Sequence, residues 1–578
     1  MIHGIMANKP TFHPVTFTVG LNVVVAEMRD SKDKKETRNG LGKSTLIEII
    51  DFCLGSSLQR GQGLSLEILN DWAFTLDLTV AEKRVKATRS LASPTRIVVE
   101  GDTHGWIRRP EVDEKTGEAA FHIDDWKKVL GWALFQLETV ETTDKYKPSY
   151  RALISYFLRS GIGAYLDPFS HFKNQKAGNI QLSIAYLIGL NWQHAAKWQV
   201  LKDKEDAIKA VEKAVDSGLT ETVGALEAEK ITLESSLENE RKELANFKVH
   251  NQYAEIQSKV NEFTQQIHRI SNENILDKRK LQFYKDASSE EGAPEIQQLE
   301  EIYKQSGLLF PDRVKKSLSD ARNFHNQVIK NRKEFLELEI LRLKREISSR
   351  EQGIKDLTNE RADALNILST HGAFEEYALL QEKNISTKQK IETLKAKIAE
   401  LRSTSSQKKA VKADRIELTK VAEIDYDERR PSWEKAVRIF NENSQALYRE
   451  PGRFVINISE TGYKFKVDIE RSQSEGIGKM KLFCFDLMLA KLWKQENQGI
   501  DFLVHDSIMY DGVDARQRAL ALELAAKVSA QDGFQYICTL NSDMVPVSDF
   551  SDDFNFNDYV RLRLTDGDPS GSLLGIRY

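Results

Sequence analysis

The chain has 578 residues, 40% of them hydrophobic and 29% charged, with a net charge of −4. That length allows several domains, and the charge balance excludes a global basic field, so any nucleic-acid contact falls to a local patch. Cys53, Cys484 and Cys538 sit in apolar settings without metal-ligand spacing and no apolar run approaches membrane-spanning length, so buried thiols in a reducing cytoplasm are expected and a membrane-embedded transporter is not.

The first motif lies early. The apolar run Val23-Val24-Val25 predicts a strand, and Leu46 to Ile50 predicts a helix. Between them stands Arg38-Asn39-Gly40-Leu41-Gly42-Lys43-Ser44-Thr45, reached through a polar, charged insertion from Arg29 to Arg38. Glycines let backbone N–H groups converge as an anion nest, and the helix N-terminus adds its positive end. In this pattern Lys43 reaches the β- and γ-phosphates of a nucleotide and the Ser44 hydroxyl ligates Mg²⁺; Thr37 departs from it, standing where a first glycine is usual. ATP and Mg²⁺ are therefore the expected cofactors. Alternating patterns follow, Phe74, Leu76, Leu78 and Val80, then Ile97-Val98-Val99 after a Ser93-Pro94 turn.

The middle of the chain changes character. No proline occurs between Pro168 and Pro294, nor between Pro311 and Pro431. Four-three spacing runs through Leu226, Leu233, Leu237, Leu244 and Phe247, and through Ile256, Val260, Phe263, Ile267 and Ile270. It resumes at Leu336, Ile340, Leu343, Ile347, Ile354, Leu357, Ala364 and Leu368, and at Ile391, Leu394, Ile398 and Leu401, with Arg350 and Arg361 interrupting the frame and Gly372 breaking the helix. Such seams need a partner helix. An antiparallel hairpin turning between Ala287 and Asp312 supplies one within the chain, each arm about 135 Å long at the helical rise. Ordinary bundle helices or an intermolecular coiled coil are the alternatives.

Strands return at Phe454 to Ile458 and Phe465 to Ile469, then an apolar helix from Leu482 to Leu492. Ser474-Glu475-Gly476-Ile477-Gly478-Lys479 opens that helix, either as an anion contact through Ser474, Gly476 and Gly478 or as an N-cap with a flexible lead-in. The short strand Phe502-Leu503-Val504-His505 ends in Asp506, placed to hold Mg²⁺ with Ser44 or else a simple strand terminus. Ser507 follows, a weak general base near neutral pH, and Asp511 is its substitute or merely a solvated turn acid beside Gly512. In Tyr536 to Asn541, Asn541 is the polar residue at a strand end. The expected division is 1–192, a first head lobe; 193–286, an ascending arm; 287–318, the turn; 319–425, a descending arm; and 426–578, a second head lobe.

These pieces resemble the SMC and RecN class of ABC ATPases. The resemblance implies an α/β ABC-ATPase head assembled from both chain ends, with an inserted antiparallel coiled-coil hairpin. It implies two ATP molecules held between two heads, so a homodimer, with Lys43, Ser44 and Asp506 serving one face. Ser474, Gly476 and Gly478, as the signature, serve the partner's nucleotide, and Asp514 closes its loop against the second head. The chain departs from the family where Ser507 replaces the usual glutamate, where Asn541 stands for the switch histidine, and where Ser160 in Leu158-Arg159-Ser160-Gly161 replaces an expected glutamine. The combination looks like a divergent bacterial family found in ABC three-component operons and Lamassu-type anti-phage systems. That implies double-stranded DNA, an accessory subunit and a nuclease-like effector as partners, in the cytoplasm and without a membrane. Lys408, Lys409, Lys412 and Arg415 are candidate DNA contacts or a solvated helix face. A nucleotide-holding scaffold with little turnover is the alternative function.

Overall fold

Val23 to Ala26 are at most 1% exposed, as a strand covered on both faces must be. The computed structural model describes residues 1–27, 40–58, 63–137, 145–216, 222–246, 251–290, 314–368, 373–469, 475–496, 499–566 and 568–576. Arg29–Asn39, Ser474, Gly372, Phe247 and most of the proposed turn lie outside these residues.

Two compact units divide the chain, one taking in Met1–Leu201, Gln305–Arg322 and Arg415–Tyr578, the other Lys202–Lys304 and Asn323–Asp414. In the first unit, an antiparallel sheet has the order β2-β1-β4-β5-β6-β8-β7, built from β1 (Ile2–Ala7), β2 (Val15–Thr16), β4 (Ala73–Val80), β5 (Lys83–Ser90), β6 (Arg96–Gly101), β7 (Glu111–Val112) and β8 (Ala119–His122). Phe74, Leu76, Leu78 and Val80 all point to its core, as their alternation predicts.

A second sheet is parallel. Its order is β11-β12-β3-β13, with β3 Gly20–Glu27, β11 Phe502–His505, β12 Gln535–Asn541 and β13 Val560–Thr565. The strand preceding the glycine loop thus lies between two strands from the far end of the chain, with Asn541 opposite Ala26. Helix α1 (Lys43–Cys53) follows the loop and buries Leu46, Ile49, Ile50 and Phe52 completely. An aromatic cluster joins the same chain ends: Trp493 meets Phe135 at 5.3 Å and Phe157 at 6.2 Å, and its indole N–H donates to the Leu187 carbonyl at 2.8 Å. One head is therefore built from both termini, as expected.

The second unit is helical, drawing on α5 (Trp192–Asp216), α6 (Val223–Asn246), α7 (Asn251–Glu290), α8 (Val314–Leu368) and α9 (Ala373–Glu428). Cross-helix pairs run in opposite senses: Glu227 meets Arg402, Glu234 meets Lys395, Glu240 meets Thr387, and Asp277 meets Arg350. Falling partner numbers against rising ones define an antiparallel pair. Leu336, Leu343, Ile347, Ile391 and Ile398 are buried in it, as their heptad frame predicts.

Leu226 and Leu237 of the ascending arm are buried as expected, but its second run corrects the expectation. Ile256, Val260, Phe263, Ile267 and Ile270 are only half-buried, while Gln257, Thr264 and Asn274 are buried. Successive helical residues are about 100° apart, so a one-residue offset moves polar side chains to the centre of the contact. Arg350, read as an interruption, reaches both Asp277 and Glu273 and helps set that rotation.

Candidate functional site: a phosphate loop facing a buried carboxylate

The glycine loop keeps its shape through two residues in the left-handed region, Gly40 (φ 85°) and Gly42 (φ 95°). A Cβ on Gly42 would sit 2.6 Å from the Leu573 Cβ, and the Leu573 amide donates to the Leu41 carbonyl at 3.0 Å. Gly42 therefore admits no side chain, and the far end of the chain braces the loop. The Gly42 carbonyl takes the first helical bond, from Leu46 at 2.8 Å. Lys43 and Thr45 are buried at the start of α1.

Ser44 Oγ donates to Asp506 Oδ2 at 3.0 Å, across 462 positions of sequence. Asp506 is fully buried at the tip of β11. Its other oxygen accepts from Ser507 Oγ at 2.9 Å and Thr539 Oγ1 at 3.0 Å. Hydroxyls from three separate elements thus hold one carboxylate. A hard divalent cation prefers oxygen donors, and Mg²⁺ keeps several waters while using one or two carboxylates plus substrate phosphates. The Ser44–Asp506 pair suits such an ion. Among the described residues no group of three or more His, Cys, Asp or Glu forms a metal cage, so phosphate and water would complete its shell.

The remaining candidates fall around this centre. Ser507 begins the short turn Ser507–Tyr510, its hydroxyl committed to Asp506. Asp511 ends that turn and is exposed. Asp514 accepts from the Arg516 amide at 3.0 Å and caps α12 (Ala515–Asp532), a structural role that accounts for an acid there. Gly476 lies in the first turn of α11 (Glu475–Gln495), where a Cβ would stand 2.5 Å from the Gly512 carbonyl oxygen; packing alone demands glycine. Gly478 is exposed, with open space where a Cβ would go. Asn541 Oδ1 is buried without a hydrogen-bond partner among the described residues. Arg38, Asn39 and Ser474 lie outside them.

Behind the carboxylate runs a network that the motifs did not announce. Arg159 and Asp486 are each 0% exposed in their side chains. They pair in fork geometry, Nε to Oδ2 at 2.5 Å and Nη2 to Oδ1 at 2.7 Å. Asp486 Oδ2 also faces His505 Nε2 at 3.0 Å, and His505 Nδ1 faces the Tyr536 hydroxyl, itself 2.8 Å from Tyr510. Burial lowers the His505 pKa, and the neighbouring Asp486 only partly offsets it, so the ring is neutral. A neutral ring with Nε2–H donating to Asp486 and Nδ1 accepting from Tyr536 satisfies this chain. Burial opposes the Arg159 charge, but Asp486 outweighs it and leaves the guanidinium firmly protonated. Lys479, also buried, places its ammonium 5.3 Å over the Tyr165 ring. A signal for this network existed: Arg159 and Asp486 are lone charges in apolar runs, and a buried charge needs a partner.

The segment Leu158-Arg159-Ser160-Gly161 runs beside β11. Leu158 bridges Val504 in parallel, the Arg159 amide donates to the Val504 carbonyl at 3.2 Å, and Ser160 is half-buried.

Comparison with known proteins finds a family of uncharacterised proteins conserved in bacteria (DUF2326) matching residues 443–578. Along 563 residues the chain is 22% identical to the uncharacterised protein YydD of Bacillus subtilis, spanning 92% of this chain and 91% of that one. Solved structures that align with it include the Smc head domain with a coiled coil and joint from Pyrococcus yayanosii, at 13% identity and a TM-score of 0.33 over 93% of this chain and 92% of that one. Another is the Smc head domain with an extended coiled coil bound to the C-terminal domain of ScpA from Pyrococcus furiosus, at 11% identity and a TM-score of 0.32, covering 95% and 91%. The fold class, an α/β head assembled from both chain ends with an inserted antiparallel coiled coil, rests on the strand order and arm pairing above. No helix among the described residues is long and apolar enough to cross a membrane.

Proposed function

We propose that this protein is an SMC-like ATPase whose heads dimerise around ATP and which engages DNA, as the sensor of a bacterial anti-phage complex controlling a separate nuclease-like effector. One observation carries the nucleotide part of the reading: Ser44 and Asp506, from opposite ends of the chain, meet at 3.0 Å behind a glycine loop. Backbone N–H groups of the loop and Lys43 hold the phosphates, and Ser44 with Asp506 holds Mg²⁺, which when bound screens the charge of the β- and γ-oxygens. Asn541, whose amide oxygen has no partner among the described residues, ends β12 and in this reading orients the attacking water. In a dimer, Gly476 and Gly478 at the start of α11 face the partner's nucleotide.

Support for the homodimer, DNA and effector comes from the resemblance of the motifs. The test is fluorescent-ATP binding by the full chain, with ATP-dependent dimerisation by light scattering and phosphate release with linear double-stranded DNA. Lys43→Ala is expected to abolish all three; retained binding in that variant sinks the reading.

A nucleotide-holding scaffold is the second reading, and the Ser507 geometry favours it. The hydroxyl that stands where a general base is usual is bonded to Asp506, and a neutral hydroxyl is a poor base near pH 7. Phosphate release stimulated by DNA ends would exclude the scaffold.

A further inference from the structure

We infer that Tyr165 is the positioning residue for the magnesium carboxylate, holding Asp506 in register through a buried relay anchored on Arg159 and Asp486. This rests on the nucleotide reading above and assigns a role to residues outside its motifs. The Tyr165 hydroxyl makes two bonds in opposite senses. It accepts from the Asp506 backbone amide at 2.7 Å and donates to the Arg159 carbonyl at 3.0 Å. The Asp506 main chain therefore hangs on Arg159 through one phenol.

Arg159 is itself immobilised. Its Nε and one Nη2 proton serve Asp486, the other Nη2 proton serves the Pro168 carbonyl at 2.6 Å, and Nη1 serves the carbonyls of Ala164 at 2.6 Å and Ser170 at 2.9 Å. All five guanidinium protons are used, so the side chain has no second arrangement without losing a buried bond. Asp486 is in turn shared with His505, the residue before Asp506. The chain from 159 to 170, helix α11 and strand β11 are tied at one buried point, and the free end of that tie is the Asp506 amide.

Such a tie matters because a metal site tolerates little error. Ligands need placement within a few tenths of an ångström, supplied by groups that do not themselves touch the ion. The three hydroxyls on the Asp506 carboxylate orient its plane; Tyr165 sets where its backbone begins.

Tyr165→Phe in the full chain tests this, since it keeps the ring beneath Lys479 and removes only the hydroxyl. Binding of a fluorescent ATP analogue is measured without divalent ion and across a Mg²⁺ titration, with Mn²⁺ paramagnetic resonance as a direct reading of the ion. The expected result is unchanged affinity without metal, a roughly tenfold rise in the Mg²⁺ needed for half-maximal enhancement, and a melting temperature lowered by no more than about 5 °C. Arg159→Lys, which keeps the charge but cannot reach all three carbonyls, is expected to shift metal dependence the same way. An unaltered Mg²⁺ requirement in folded Tyr165→Phe overturns the relay, as does equal weakening with and without metal. Wild-type protein that binds no nucleotide overturns the nucleotide reading, and the relay with it.

Discussion

Head and arms handle charge in opposite ways. In the head, Arg159 and Asp486 are removed from water altogether and every donor of the guanidinium is satisfied. In the arms, Arg402 and Glu227, or Lys278 and Glu351, pair at the surface, where water and salt screen them. Desolvating a pair is costly and is tolerated only with near-complete hydrogen bonding, so a buried pair defines a geometry rather than adding stability. Surface pairs cost little and contribute little; along the arms they favour one alignment of two helices whose apolar seam supplies the stability.

All eight tryptophans fall within the first unit, so fluorescence follows the head while far-ultraviolet circular dichroism is weighted to the long helices. This separation lets the contrast be broken region by region. The largest effect is expected from Asp486→Ala, which strands the Arg159 charge in the interior. The head should lose about 3–5 kcal/mol in urea unfolding followed by fluorescence. A loss under 1 kcal/mol would mean that water reaches the pair. Next, Leu343→Ala removes a side chain that is 2% exposed in the arm seam. It should cost about 2–3 kcal/mol in the dichroism transition and leave the fluorescence transition in place.

Asn274→Leu sharpens the comparison from the other side. Asn274 is 4% exposed and neither amide atom has a partner among the described residues, so it is a polar group buried in the arm without the bonding that the head provides. Replacement should stabilise the arm by about 1 kcal/mol, visible as a later dichroism midpoint; a destabilised arm would contradict this account. The smallest effect belongs to a half-exposed pair in the head. Asp77 accepts both arms of the Arg84 guanidinium, and that hydrogen bonding holds its carboxyl below the ordinary value. A depressed folded pKa contributes stability above the unfolded value and loses it as pH falls through the folded one. Asp77→Asn should therefore flatten the acid limb of stability below about pH 4, by well under 1 kcal/mol since Arg84 is exposed.

How much was legible differs between these regions for the same reason. The glycine loop, its strand and helix, Asp506 and the descending heptads could be read because each is set by local chemistry: positive φ at Gly42, an apolar strand ending in an acid, leucine spacing on one helical face. The second run of the ascending arm, Ile256 to Ile270, is offset by one residue because the rotation there is influenced by Arg350 on the other helix. The need for glycine at 476 also has a source no local pattern predicts, the Gly512 carbonyl 2.5 Å from where a Cβ would stand.

By itself the sequence determined that a glycine loop between strand and helix, a strand-end carboxylate and long seamed helices exist, since those follow from residue type and spacing along one element. Only the tertiary structure decided that Ser44 and Asp506 meet, that Thr539 and Ser507 complete the carboxylate's bonding, and that Tyr165 hangs Asp506 on Arg159. The physical reason is that hydrogen bonds of about 3 Å between elements depend on strand order and core packing, which join residues hundreds of positions apart and leave no periodic trace in the chain.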